Sequence, residues 1–300
     1  MPHEVSVTMY PLLFGTLPGS ATFLAVAVLV GVGVAIFNAP AAGIPRRRLA
    51  LALPVFIVAG MTGAKLHSLI ERSGNVYSLA WEARNGYRYA GAIVGIALGT
   101  LVARGLLFRR VPWGRLADCL APAIALAMAA YRLGCFCEGC CFGVVSTLPW
   151  AVRFPAGSPA WRQQVTDGLL AEDSLASLPV HPLQIYFLVL ALLIGLSLLR
   201  VQHRKAYDGQ VILLFLALHD AGKFLLEFLR SSTTQNIQIC SAIVALVATG
   251  LLAGFGGRAP VPEFTRRPIN WTPRSSRPAS PPSAPASSRG VRQSDSAGPA

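Results

Sequence analysis

Seven apolar runs of nearly uniform length dominate this chain, at about 21–39, 50–70, 88–108, 116–134, 182–200, 209–229 and 237–255. Each approaches the ~20 residues that an α-helix needs to cross the hydrocarbon core of a bilayer. Backbone N–H and C=O groups find no water there, so such runs are confined to helices that satisfy their own hydrogen bonds. The composition agrees, with 53% hydrophobic and only 13% charged residues, about half the ~25% charge of a soluble domain. The expected fold is an all-α membrane protein of seven transmembrane helices. The opening MPHEVSVTMY lacks the basic start of a cleavable signal peptide, and none is expected.

Basic residues choose the orientation. Arg46, Arg47 and Arg48 lie between the first two runs, and Arg104, Arg109, Arg110 and Arg115 between the third and fourth. Arg200, Arg204 and Lys205 follow the fifth run, and seven arginines from Arg258 to Arg292 follow the last. In a seven-span chain these loops share one face, so the positive-inside rule predicts an N-terminus outside and a C-terminus in the cytoplasm. The net charge of +13 would suit a nucleic-acid binder, but it is spread over loops and a tail. Anionic membrane lipid is the expected contact, and nucleic acid is not. The tail 256–300, rich in Pro, Ser, Ala and Arg, is expected to be disordered, leaving 1–255 as the membrane domain. The long outer loop at about 135–181 predicts a small extracytoplasmic head, with a short strand in LPWAVRFP (148–155) and an interfacial helix around 159–175.

An ionisable side chain at the centre of a membrane helix costs roughly 2.5–3.5 kcal/mol, so those that remain mark candidate sites. The run YRLGCFCEGCCFG (131–143) places Arg132 near the outer end of the fourth span. Its planar guanidinium would grip a phosphate with two hydrogen bonds, whereas a purely structural arginine would snorkel to lipid headgroups. In HDAGKFLLEFLR (219–230), Lys223 and Glu227 stand four residues apart on one helix face, where they pair with each other or serve an anionic ligand. HPLQIY (181–186) opens the fifth span with Pro182 as a helix start. There His181 either caps the helix or titrates near neutral pH, and Tyr186 anchors at the headgroups.

Cys135, Cys137, Cys140 and Cys141 follow Arg132 closely, while Cys119 and Cys240 stand alone inside spans. Small unpaired packing residues, a disulfide and a metal site are the three readings, with the first favoured. No metal is expected, because the adjacent Cys140 and Cys141 should not easily point at one tetrahedral centre with thiols of a helix end.

These segments in this order resemble the prolipoprotein diacylglyceryl transferase family, from about residue 50 to 245. GAKLHSLI (63–70) and GYRYAGAIVG (86–95) are similar to its second- and third-span motifs, and DCLAPAIALAMAAYRLGCFCEGCCFG (118–143) to its signature fourth-span end. LPWAVRFP, HPLQIY and GQVILLFLALHDAGKFLLEFLR (209–230) follow in place. The resemblance implies transfer of the diacylglyceryl group of phosphatidylglycerol to the lipobox cysteine thiol of prolipoprotein signal peptides, releasing glycerol phosphate. It implies no cofactor and a bacterial plasma-membrane location. Residue by residue, Arg132 matches the signature arginine, Gly143 the signature glycine and Glu227 the sixth-span acid. Lys223 replaces an arginine, Cys135 an asparagine and Ala90 the third-span histidine, and no first-span tyrosine matches the family's. Taken with the reading of HPLQIY, this leaves Arg132, Glu227 and His181 as catalytic candidates, with Arg132, Lys223, Gly143, Cys135 and Tyr186 as substrate-binding ones. A paralogue with another acceptor, and a non-catalytic lipid-binding protein, are the alternatives.

Overall fold

The structure, a computed structural model, describes residues 17–73, 89–231 and 235–256, together with the pairs 5–6 and 12–13. The tail assigned to 256–300 lies, after Gly256, outside the described residues. Among them, eight α-helices account for nearly all regular structure. Seven coincide with the apolar runs: α1 (Gly19–Asn38), α2 (Arg46–Ser73), α3 (Tyr89–Leu107), α4 (Trp113–Glu138), α6 (Leu183–Gln202), α7 (Gln210–Glu227) and α8 (Gln235–Gly256). The eighth, α5 (Pro159–Thr166), is short. Five helices are long and apolar enough to cross a membrane. Leu29, Phe37, Leu106 and Leu246 are each more than two-thirds exposed, which is tenable only where lipid replaces water.

Helix α4 is the hub, packing against α1, α6 and α7, while α2 pairs with α3 and α7 with α8. The α2–α3 pair is set by glycines spaced four apart. A Cβ on Gly91 would meet the Gly63 carbonyl, and one on Gly95 would meet that of Ala59. Small residues at this spacing let two backbones touch, which is how helices associate in lipid without a hydrophobic driving force.

The start of α4 is tied to the start of α7 by charge. Asp118, fully buried, accepts backbone N–H bonds from Gly209 (2.8 Å) and Ile212 (3.0 Å) and binds Lys205 Nζ at 2.8 Å. It thus caps a helix N-terminus from a neighbouring helix, satisfying orphan donors and the positive end of the dipole together. Asp208 links Lys205 (2.9 Å) and Arg115 (2.9 Å) into the same network.

Between α4 and α6, the chain folds into an ordered segment with its own small core of Phe142, Val152, Phe154, Ala160 and Val180. The strand expected over LPWAVRFP is only Val152–Arg153. The helix expected around 159–175 ends at Thr166, because Gly168 turns left-handed (φ 71°) and the chain leaves the helix. Ser158 caps its start by accepting from Trp161 N–H (3.3 Å), and Trp161 Nε1 donates to the Ser174 carbonyl (2.8 Å).

Candidate active site

Three segments meet at Gly143: the turn after α4, the entry to α6 and the end of α7. Its N–H donates to the His181 carbonyl (3.0 Å), while the N–H of Val144 donates to the Leu229 carbonyl (2.8 Å). A Cβ at Gly143 would stand 2.6 Å from His181 Cβ and 2.7 Å from the Leu229 carbonyl oxygen. Only glycine lets the three backbones close at this point. The junction draws the HPLQIY segment and the end of α7 to the signature run.

Arg132 lies 4.4 Å over the ring of Phe187, in the contact between α4 and α6. Stacking on an aromatic face uses the π-cloud and leaves the in-plane N–H fork for a planar anion. The guanidinium is therefore held by the protein and not merely extended toward lipid.

At the end of α7, Glu227 is 1% exposed, and its Oε1 accepts from Arg230 at 3.1 Å. Arg230 also directs Nη2 at Cys141 Sγ, 3.5 Å away. This arginine stands in the run HDAGKFLLEFLR, but the reading of that run stopped at Lys223 and Glu227. Its spacing of three from Glu227, at a helix C-terminus that favours cations, was the available signal. Lys223 sits one turn before Glu227 on the same helix.

The four cysteines do not behave as helix-end spacing suggests. α4 stops at Glu138, and Gly139 takes a left-handed conformation (φ 67°). The Cys140 N–H then reaches back to the Cys135 carbonyl (3.2 Å), a Schellman closure that folds residue 140 onto residue 135. Cys141 is also left-handed (φ 56°), unlike any other non-glycine residue described. Such an outlier persists only where the surroundings impose it. Gln184 Nε2 donates to the Cys140 carbonyl at 2.6 Å and holds the turn. The result is that the Sγ atoms of Cys135, Cys140 and Cys141 lie within 4.8 Å of one another. The expectation that adjacent thiols cannot converge is thus corrected: Cys140 and Cys141 lie beyond the helix, in a reversal that aims both back at it. All six cysteines are free thiols. Hydrogen bonds with Cys135 and Cys140, and then the charges of Arg230 and Arg132, hold the Cys141 thiol well below its ordinary range against the effect of burial.

His181 and Tyr186 meet at the entry to α6. His181 Nδ1 is 3.2 Å from the Tyr186 hydroxyl, which accepts from Trp150 Nε1 at 2.8 Å. The side chain of Ala90 lies outside the described residues.

The adjoining helix ends of this multi-pass helical membrane protein thus gather two arginines, a buried glutamate, an imidazole and three thiols. The family model for prolipoprotein diacylglyceryl transferase matches residues 20–254, and the chain belongs to that family. A phosphatidylglycerol–prolipoprotein diacylglyceryl transferase of Clostridium tetani is 28% identical over 192 residues, which is 62% of this chain and 70% of the relative. One from Geobacter sulfurreducens is 31% identical, covering 52% of each chain. One from Bordetella avium is 34% identical over 50% of this chain and 49% of its own.

Proposed function

We propose that this protein transfers the diacylglyceryl group of phosphatidylglycerol to the lipobox cysteine thiol of prolipoproteins. The observation that carries the reading is the Gly143 junction, which draws together the family's signature run with Arg132, the α7 end with Glu227 and the HPLQIY segment. Arg132, held over Phe187, grips the phosphate, and Lys223 adds a point charge. Glu227 fixes Arg230 beside the thiols. His181, backed by Tyr186, takes the place of the family's histidine as proton acceptor. Charge that develops on the departing glycerol phosphate is met by prearranged cations, the largest usual source of rate. Gly143 keeps the three segments closed on one another, and Cys135 occupies the asparagine position.

In this reading the seven long helices all span the plasma membrane, with the N-terminus outside. The segment between α4 and α6 is then the extracytoplasmic head, where signal peptides arrive, and the C-terminus is cytoplasmic. The test is purified protein in vesicles containing phosphatidylglycerol, given a fluorescent lipobox peptide. A thioether-linked diacylglyceryl peptide is expected. Its absence, together with failure to sustain a bacterium depleted of its own transferase, would reject the reading.

A further inference from the structure

We propose that Cys135, Cys140 and Cys141 form a three-thiolate zinc site whose fourth position receives the acceptor cysteine. Tetrahedral zinc–thiolate bonds of about 2.3 Å require sulfur atoms about 3.8 Å apart. The three Sγ atoms already lie within 4.8 Å of one another, so small side-chain rotations complete the triangle. Nothing in the backbone needs to move, because the Schellman closure and the left-handed Cys141 set the convergence. Three protein ligands with one vacancy is the pattern of a catalytic zinc, whereas structural sites are closed by four.

The surroundings match such an occupant. Three thiolates and one divalent ion leave a single negative charge, and Arg230 donates Nη2 to Cys141 Sγ at 3.5 Å. A donor of this kind both orients a ligating sulfur and offsets its charge. Gln184 anchors the loop through the Cys140 carbonyl (2.6 Å), so the ligands are held from a rigid helix end. Cys137, two residues from Cys135 on α4, points to another face of the helix and is not one of the three.

The chemistry deepens the proposed transfer and rests on it. The acceptor must be a thiolate, and a thiol that coordinates zinc is deprotonated outright. Its proton passes to the His181 imidazole, the proton acceptor of the proposed transfer. The thiolate then attacks the glyceryl carbon that carries the phosphate ester. The C–S bond forms, the C–O bond breaks, and its electron pair leaves with glycerol phosphate, which takes the proton from His181. Nothing is oxidised or reduced.

The deciding experiment is elemental analysis of the full-length protein purified in detergent under reducing conditions. About one zinc per chain is expected, together with a cadmium–thiolate ultraviolet band after exchange. That band should vanish in Cys135→Ser and Cys141→Ser and persist in Cys137→Ser. Chelation should slow transfer to the lipobox peptide on the order of 100-fold, the scale of activation by one positioned group, and zinc should restore it. Copper or no metal in the native protein, or thiols paired as disulfides, would overturn the site. Zinc that leaves transfer unchanged on removal would overturn its role with the acceptor. Absence of zinc from an active transferase rejects this inference alone, whereas zinc in a protein that never uses phosphatidylglycerol keeps the site and rejects the transfer reading.

Discussion

Arg132 and Lys223 are both cations, yet they should respond in opposite ways to exchange. Arg132 sits over the Phe187 ring at 4.4 Å, and its work as proposed depends on a planar fork. Lysine keeps the charge and loses both the stacking and the second hydrogen bond. Hydrogen bonds to charged groups are worth about 1.5–3 kcal/mol, so Arg132→Lys should slow transfer by about 10–100-fold. Lys223→Arg adds a fork where a point charge serves and should be neutral or mildly beneficial. Both rates are to be measured at equal membrane abundance with phosphatidylglycerol as donor; equal rates for Arg132→Lys and the unaltered protein would remove Arg132 from the mechanism. Gly143 is expected to be no more forgiving. Gly143→Ala drives a methyl to within 2.7 Å of the Leu229 carbonyl, an overpacking that costs about 1–3 kcal/mol. The junction must open to admit it, so activity should fall together with the thermal midpoint, and a variant with unchanged midpoint and rate would refute the close-packed junction.

At the scale of elements, α7 depends on a carboxylate that belongs to α4. Asp118 is wholly buried and serves Lys205 and two N–H groups of the α7 entry. Asp118→Ala leaves Lys205 with Asp208 alone and orphans two N–H donors, at about 1–3 kcal/mol for each donor left unsatisfied, readable as a lowered unfolding midpoint in detergent. Asp208 adds an acid-sensitive part. Burial acts to raise its carboxyl, but hydrogen bonds from Arg115 and Lys205, and their charges, prevail and hold it below the usual range. A lowered folded-state value makes the contribution complete above about pH 3.9, the ordinary carboxylate value. It is then lost as pH falls through the folded value. The midpoint should therefore drop in acid, and Asp208→Asn should flatten that part of the profile. All seven long helices were legible in the sequence because each carries ~20 apolar residues, a signal that needs no tertiary information. The thiol cluster was not, since cysteine spacing was read along a helix while Gly139 ends it and reverses the chain. Gly139 after Glu138 was the one written sign of that reversal. Arg230 went unassigned for a related reason: its partner Cys141 is 89 residues away, beyond any local pattern.

For the molecule as a whole, the two ionic centres sit at opposite ends of one helix. Arg115 and Asp118 stand in the first turns of α4, and Arg132 and Cys135 in its last. With 26 residues at 1.5 Å per residue, α4 is about 39 Å long, which exceeds the ~30 Å hydrocarbon core. In the proposed orientation, the Asp118–Lys205–Asp208 network and the thiol cluster lie toward different membrane faces. The network lies among the loops richest in arginine, so the positive-inside rule assigns it to the cytoplasm and the thiols to the outside. Reporter fusions test this with opposite readouts. Alkaline phosphatase joined within the segment between α4 and α6 should be active, and green fluorescent protein joined after Gly256 should be bright. The two reporters exchanged should both be silent. The reverse pattern would turn the site toward the cytoplasm, where signal peptides have not yet crossed, and would sink the extracytoplasmic transfer as proposed.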